Sequence, residues 1–345
     1  MSPRQKQHYV PQFLLRNFGD SREAIEVFDR STYKTKIKGI KNVAFEHSFY
    51  DFIDDTNMRD SMEHRFSRFE SRAASTIKRI IQEQSLTGLS EWDRKFLVIF
   101  VAMQLLRVRK LRSYLERIAG TRTFLKLNNT GIEITVKKGP DDPRRTHVSL
   151  IAQYTGLVTA QLSARVLVLL VATGRESFVI SDNPVLAYSA INVFAEKDLG
   201  VHLKKSFPQH DEIDNILTHI EGQLNDSMTD VYMPLSPRTC LFFAGPKVAA
   251  VLGIPGCATI DLEDEQVSGV NLLQMHNSEA YVFGHPGSFP SEDMPPDFEM
   301  DSAVRYAEHL LLSEYFLIRR AYARVSAEAE DQAWNYQPAV RWEKT

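Results

Sequence analysis

The sequence predicts an α+β fold in which a helical N-terminal layer packs on a mostly antiparallel central sheet. Apolar residues recur every three or four positions between about residues 58 and 83, and they fill nearly every side of residues 96–106 within a second helix predicted over 90–117. β-branched and aromatic runs at 165–182 and 231–244 indicate the strands of the sheet. Because strands and helices do not alternate regularly along the chain, a doubly wound parallel sheet is not expected.

The domain organisation follows from shifts in composition along the chain. Residues 1–285 are expected to form a single α+β domain, with polar excursions at 120–147 and 190–227. Residues 286–302 are acidic and rich in proline, which is typical of a linker. The last segment, 303–345, is predicted to be a long helix with a tail, and this helix could contact a protein partner.

The composition of the 345-residue chain is that of a globular protein, with 43% hydrophobic and 10% aromatic residues. The longest apolar runs, Phe96–Leu106 and Val166–Ala172, are well short of the roughly 20 residues of a membrane-spanning helix. The first residues lack the apolar segment of a signal peptide. Cys240 and Cys257 form neither a disulfide framework nor a zinc motif. We therefore expect a cytoplasmic protein without membrane contact.

Charge is unevenly distributed between the two parts of the chain, although the net charge is only −3. Residues 1–150 contain 28 Lys and Arg against 18 Asp and Glu, a balance of +10, and the remaining 195 residues have a balance of −13. A basic half is typical of proteins that bind nucleic acid. Two halves of opposite sign can equally well attract each other across an internal interface.

Two acidic residues lie on the flank of the first predicted helix. Glu63 and Glu70 are seven positions apart, and Glu70 has no basic residue three or four positions away. Its charge must therefore be met by water, by a ligand or by another element. Arg107 lies on the apolar face of the second helix and needs a carboxylate partner, which Glu63, Glu70 or Asp182 could provide.

A third acidic residue, Asp182, follows the predicted strand Phe178–Ile180. The sequence Ser181-Asp182-Asn183-Pro184 stops this strand, because the residue before a proline avoids the helical conformation and because Asp and Asn favour turns. Asp182 is therefore expected at a strand end, at the rim of the core. Active-site acids and ordinary turn aspartates both occupy such positions.

Three segments resemble a known bacterial family. HYVPQFLLRNF at residues 8–18, ISDNPV at 180–185 and PLSP at 234–237 are similar to motifs of the family called domain of unknown function 4238. The resemblance extends from residue 8 to about residue 285. It implies membership in that family, and it implies no particular activity.

The polar residues singled out above form a candidate site without a motif of diagnostic spacing. The sequence contains no P-loop, dinucleotide-binding, zincin or hydrolase-elbow motif. The residues predicted to be catalytic are His8, Glu70, Arg107 and Asp182. The residues predicted to bind substrate are Gln104, Asn183, Arg109 and Lys110.

The first hypothesis for this site is a metal-assisted phosphodiester hydrolase acting on nucleic acid or a nucleotide. Glu70 and Asp182 would hold Mg²⁺ or Mn²⁺ and activate water, while Arg107 would neutralise a phosphoryl oxygen. The basic N-terminal half would guide the polyanion to the site. A second chemistry needs no metal, because His8 or Asp182 could act as general acid or base on a small phosphorylated substrate held by Arg107 and Gln104.

Two other interpretations of these residues do not involve catalysis. A buried Glu–Arg pair, an Asp-Asn-Pro turn and a histidine at the start of the first helix need no substrate. Alternatively, the chain is a non-enzymatic module of a bacterial assembly that binds nucleic acid through its basic half or protein through its C-terminal helix.

Overall fold

A computed structural model of the chain describes residues 6–53, 59–119, 122–126, 133–137, 142–188, 224 and 229–289. The expected linker is therefore described only up to residue 289, and the helix predicted in segment 303–345 lies outside the described residues. So does most of the excursion predicted at 190–227.

The larger sheet has five strands in the order β11-β12-β13-β9-β14. All neighbours are antiparallel except β14 and β9, which run parallel. Strands β12 and β13 are joined by the turn at Pro237 and Arg238. The strands are β9 (Val166–Ala172), β11 (Leu186–Tyr188), β12 (Asp230–Ser236), β13 (Thr239–Ala244) and β14 (Thr259–Leu262).

The second sheet has four antiparallel strands in the order β10-β15-β2-β3. It joins residues from both ends of the described chain, because β2 pairs with β15. Strand β3 lies at the edge, where its lysines are exposed and hinder pairing with another chain. The strands are β2 (Ala24–Asp29), β3 (Lys34–Gly39), β10 (Ile180–Ser181) and β15 (Tyr281–Gly284).

Three small two-stranded pieces complete the β structure of the described residues. They are β1 (Lys6–His8) with β4 (Phe45–His47), β5 (Asp51–Ile53) with β6 (Arg59–Ser61), and β7 (Arg122–Lys126) with β8 (Glu133–Lys137). The last pair lies in the predicted excursion 120–147.

The long helices follow the first six strands. Helices α2 to α5 pack on one another, and α2 also contacts β12. The helices are α1 (Gln12–Arg16), α2 (Glu63–Glu83), α3 (Glu91–Leu106), α4 (Arg109–Ile118), α5 (Pro143–Ser163), α6 (Pro246–Leu252) and α7 (Asp264–Asn277). The fold is thus α+β with mostly antiparallel sheets, as predicted. The N-terminal part is not helical throughout, because strands β1–β6 and the short helix α1 precede α2.

One large hydrophobic core connects the helices to both main sheets. It includes residues of α1, α2, α3, the five-stranded sheet and α7. Ser90 caps α3 by accepting a hydrogen bond from the backbone N–H of Asp93, which confirms the predicted start of that helix. Within the part of the chain that the structure describes, no helix is both long and apolar enough to cross a membrane.

Two details of the prediction are wrong. Residues 165–182 do not belong to one sheet, because β9 lies in the five-stranded sheet and β10 in the four-stranded sheet. The helix predicted over 90–117 is broken, because Val108 is extended with φ −81° and ψ 154°. The break is stabilised by tertiary contacts: the carbonyl oxygen of Leu106 accepts a hydrogen bond from His147, and that of Arg107 accepts one from Tyr50.

Candidate functional site

The N-terminal segment around His8 and Tyr9 is held by two side chains of α3. Nε2 of Gln104 donates to the carbonyl oxygen of Tyr9 at 2.8 Å, and Nη2 of Arg107 donates to the carbonyl oxygen of His8 at 2.8 Å. Gln104 and Arg107 are three residues apart and so lie on one side of the helix. Both side chains are buried, with 0% and 1% exposure. The two residues therefore bind consecutive peptide groups of the first segment.

The guanidinium of Arg107 is fully engaged by other groups. Nη1 forms an ion pair with Oε1 of Glu70 at 2.5 Å, and Nε donates to the hydroxyl of Tyr50 at 3.0 Å. The guanidinium also lies over the rings of Phe66 and Tyr50, 4.8 and 5.2 Å from their centroids. Burial alone would lower the pKa of Arg107, but Tyr50 and Glu70 outweigh it and raise that pKa. Arg107 thus cross-links α3, α2 and the first segment.

Of the alternatives that the sequence left open for Glu70, which were water, a ligand or another element, the structure shows pairing with another element. Glu70 lacks a local cation, and Arg107 comes from the neighbouring helix to neutralise it. The Glu70 side chain is 24% exposed, so its second oxygen faces a less buried environment than the guanidinium does. An ion pair of this kind stabilises the packing of α2 against α3.

Side chains of α1 determine the orientation of the His8 imidazole. Nη2 of Arg16 donates to Oε1 of Gln12 at 2.9 Å, which directs the amide nitrogen of Gln12 to Nδ1 of His8 at 3.3 Å. Nδ1 must then accept, so the proton of the neutral ring resides on Nε2. Burial, assisted by the charges of Lys6 and Arg107, lowers the pKa of His8 to about 4. His8 is therefore neutral at pH 7.

Nε2 of His8 is the one unpaired position of that ring. It is buried and has no hydrogen-bond partner among the described residues. A neutral imidazole that carries its proton on Nε2 is a hydrogen-bond donor at that atom, not a base. The arrangement can therefore donate to an oxygen of a ligand. It does not present the basic nitrogen that the metal-free hypothesis needs unless the tautomer changes.

Asp182 is fully buried and binds the backbone that leads into β15. Oδ1 accepts from the N–H of Glu279 at 2.8 Å, and Oδ2 accepts from Ala280 at 2.7 Å and from Tyr281 at 2.9 Å. Burial raises the pKa of Asp182, and the three backbone hydrogen bonds act in the opposite direction. The predicted position at a strand end is confirmed, and the carboxylate there closes the turn before β15.

Asn183 is part of the same turn structure. Its Nδ2 donates to the carbonyl oxygen of Asn277 at 2.7 Å, and Nδ2 of Asn277 donates back to the carbonyl oxygen of Asn183 at 2.9 Å. The neighbouring Ser181 donates to Oε1 of Gln274 at 2.8 Å. Asn277 and Gln274 lie on α7, so this helix fixes the whole Ser181–Asn183 segment. The sequence gives no sign of these partners, which are more than 90 residues away.

The last two predicted binding residues lie on α4 near Asp182. Arg109 forms an ion pair with Glu46, with 2.9 Å between Nε and Oε1. Burial lowers the pKa of Lys110, while the charge of Asp182 acts in the opposite direction. Asp182 also influences the pKa values of Arg109 and of Tyr9, whose own pKa is raised mainly by burial. Asp182 thus interacts electrostatically with Arg109, Lys110 and Tyr9, whereas Glu70 is connected to His8 through Arg107.

The predicted metal ligands, Glu70 and Asp182, belong to different groups. Glu70 pairs with Arg107, whereas the oxygens of Asp182 accept from the backbone of residues 279–281. Within the described ranges, no three or more His, Cys, Asp or Glu side chains are arranged so that they could hold a metal ion. An ion at Asp182 would compete with these backbone hydrogen bonds, and an ion at Glu70 would lie beside the cationic Arg107.

One buried cation was not among the predicted site residues. Arg112 is 1% exposed, and its Nη2 donates to the carbonyl oxygen of Phe49 at 2.8 Å and contacts Nδ1 of His147 at 3.1 Å. Nε2 of His147 in turn contacts the carbonyl oxygen of Leu106 at 2.9 Å. His147 falls in the predicted excursion, so nothing in the sequence pattern pointed to this contact.

A row of basic residues runs along the exposed side of α2. Arg65 and Arg68 are exposed and form no ion pair with the described residues. Nη2 of Arg72 and Nη2 of Arg79 lie 3.2 and 3.1 Å from the two carboxylate oxygens of Asp93, so that two cations share one anion. We call Arg65, Arg68, Arg72 and Arg79 the arginine row.

The comparison with protein families matches the chain over residues 6–288 to the family described as "Protein of unknown function (DUF4238)". The chain belongs to this family. No curated protein and no solved structure matches it. The side chains of this DUF4238 chain are therefore the guide to its function. Those side chains include the buried contacts of His8 with Arg107, the buried carboxylate of Asp182, and the exposed arginine row on α2.

Proposed function

We propose that this chain binds nucleic acid through the arginine row on α2. One observation carries the proposal. Between Arg65 and Arg79 the only acidic residue is Glu70, and its carboxylate is turned inward to Arg107. The exposed side of the helix therefore presents cations separated by small serines. A regular row of this kind is suited to a phosphate backbone.

Charge and geometry support the arginine row over the basic residues of α4. Arg109 of α4 is paired with Glu46, and Arg112 is buried. Arg65 and Arg68 are both exposed, and Arg72 retains 52% exposure of its side chain despite its contact with Asp93. Arginine also offers several donors in a fixed plane, which match phosphate oxygens. The excess of basic residues in the first 150 residues agrees with such a surface.

The test is the salt dependence of nucleic-acid binding by the wild type and by Arg65→Ala/Arg68→Ala. Fluorescence anisotropy with labelled DNA and RNA oligonucleotides at several KCl concentrations gives the slope of log K against log salt. Loss of two phosphate contacts should reduce the magnitude of this slope by about 1.4–1.8. Lys34→Ala/Lys36→Ala removes the same charge from the exposed edge strand β3 and serves as the matched control.

This control should leave the slope unchanged. Equal effects of the two double variants would mean that binding depends on overall charge and not on the arginine row, which would overturn the proposal. Absence of binding at low salt would overturn it as well.

A second candidate is the metal-assisted phosphodiester hydrolase predicted from the sequence. The observation that favours it is the buried, unpaired Nε2–H of His8 next to Arg107, which could donate to a phosphoryl oxygen. Mg²⁺ or Mn²⁺ would compete with backbone hydrogen bonds at Asp182 and would lie beside the cationic Arg107 at Glu70.

The cytoplasmic location and a protein partner for segment 303–345 also stay predictions.

Thermal melting tests the hydrolase candidate. A bound ion stabilises the folded state, so Mg²⁺ or Mn²⁺ added after EDTA should raise the melting temperature of the wild type and not that of Glu70→Gln. Cleavage of a labelled oligonucleotide should then be lost in His8→Ala. If neither ion changes the melting temperature and no cleavage occurs, the hydrolase candidate is rejected while the binding proposal stands.

A further inference from the structure

Trp92 is unusually exposed for its size. It lies in the first turn of α3 and retains 64% exposure, more than the other large hydrophobic residues exposed in the described part of the chain, Ile37 and Leu157. A tryptophan side chain usually contributes a large buried area, and the first turn of a helix does not need this residue type. The face of this exposed indole is free to contact a ligand.

Trp92 is the outer member of a row of aromatic rings that crosses from α3 to α2. Its ring centroid lies 6.4 Å from that of Phe96, with 34° between the planes, and Phe96 lies 6.3 Å from Phe69 of α2. The guanidinium of Arg72, a member of the arginine row, lies over the ring of Phe96, so this aromatic row adjoins the arginine row. The exposed surface combines rings with cations.

Two cations lie over these rings. Nζ of Lys95 is 5.4 Å from the centroid of Trp92, and the guanidinium of Arg72 is 5.6 Å from that of Phe96. Each cation is drawn to the negative face of a ring and is held close to it. A phosphate that reaches Lys95 or Arg72 would bring its attached base near the same rings.

We infer that the surface formed by Trp92, Phe96, Lys95 and the arginine row selects single-stranded over double-stranded nucleic acid. This inference rests on the proposed function and specifies its ligand. Only an unpaired base can stack its face on Trp92, because the bases of a duplex are covered by their neighbours. Stacking depends little on base identity, so the selection concerns strandedness and not sequence.

Charge favours this ligand over a protein partner. Lys95 and Arg72 lie over the rings of Trp92 and Phe96, and an apolar protein surface would have to cover these cations without neutralising them. A nucleic-acid strand supplies phosphates and bases at a regular spacing. A purely acidic ligand would bind the arginine row without stacking on Trp92.

The first experiment compares a labelled single strand with a hairpin duplex of the same composition, using the wild type, Trp92→Ala and Trp92→Phe. The single strand should bind more tightly than the duplex. Trp92→Ala should weaken single-strand binding by roughly 5- to 150-fold, the range expected for loss of one base–aromatic stack, and Trp92→Phe should restore most of it. Ile37→Ala removes another exposed hydrophobic side chain and should have no effect.

A second readout monitors Trp92 itself. The chain has three tryptophans, and the other two are Trp334 and Trp342, so Trp334→Phe/Trp342→Phe leaves Trp92 as the sole indole. Its fluorescence should be quenched by the single strand and not by the duplex. Equal affinity for both forms, or an unchanged affinity in Trp92→Ala, would overturn the inference while leaving the proposed function intact. If neither form binds, the proposed function itself fails.

Discussion

Gln104 and Arg107, three residues apart on α3, bind the consecutive carbonyl oxygens of Tyr9 and His8. These hydrogen bonds fix the N-terminal segment on the central helix before α1 begins. Strand β1 has only three residues, so without these two hydrogen bonds few backbone groups of the segment would have partners. The polar residues within α3 therefore determine how the chain enters the fold.

The first prediction concerns Glu70→Gln. The amide removes the negative charge that faces Arg107 and leaves a buried guanidinium without its counter-charge. We expect a loss of about 3 kcal/mol in the free energy of unfolding, measured by urea denaturation. Glu83→Gln, an exposed residue at the end of the same helix, should cost less than about 0.5 kcal/mol. Similar stabilities of the two variants would refute a structural role for Glu70.

The second prediction concerns Gln104→Met, which keeps the approximate volume of the side chain. The carbonyl oxygen of Tyr9 then loses its donor inside the core. Removal of the buried, unpaired Oε1 of Gln104 offsets part of this cost. We expect a net destabilisation of about 1–2 kcal/mol by urea denaturation. A variant as stable as the wild type would show that this hydrogen bond contributes little.

The third prediction concerns Asp182→Asn. The carboxylate receives three backbone N–H groups on two oxygens, whereas an amide has one accepting oxygen. At least one buried N–H must lose its acceptor, and the amide nitrogen then faces another donor. We expect a loss of about 3 kcal/mol in chemical denaturation. Asp261→Asn, on the exposed side of β14, is the matched control and should be nearly neutral.

The fourth prediction concerns acid stability. Burial lowers the pKa of His147 to about 3 and that of His8 to about 4, so both rings stay neutral in the folded protein when the unfolded chain takes up protons. Their contribution to stability is fully present above pH 6.5 and decreases as the pH falls from 6.5 toward 4. Urea denaturation at pH 7, 6, 5 and 4.5 should show this decrease.

His147→Gln isolates one of these two groups. The variant should be less stable at pH 7. Between pH 6.5 and 4 its free energy of unfolding should also change less steeply with pH, by the equivalent of up to one bound proton. A pH profile parallel to that of the wild type would mean that His147 does not account for the acid sensitivity.

Local physical chemistry explains which predictions succeeded. Glu70 lacked a partner on its own helix and Arg107 lay on an apolar face, so the cost of burying either charge alone predicted partners from other elements, with Glu70 one of three candidates for Arg107. The position of Asp182 at a strand end followed from the turn residues around it. Both arguments use only the residue and its neighbours in the sequence.

Tertiary contacts explain what could not be predicted. The break after Leu106 depends on His147 and Tyr50, which supply hydrogen bonds to the freed carbonyl oxygens from distant segments. The backbone that binds Asp182 lies nearly 100 residues further along the chain. The exposure of Trp92 likewise depends on which elements pack near it, and no local sequence pattern indicates that exposure.

The pairing of β2 with β15 also has a consequence for biosynthesis. About 250 residues separate these adjacent strands, and a ribosome adding about 5–20 residues per second needs roughly 10–50 s to make the intervening chain. During that interval the edge of β2 that will pair with β15 has no partner strand. A chain that stops before Tyr281 never acquires the strand that joins β2 to β10, so a premature stop late in translation should be as damaging to this sheet as an early one.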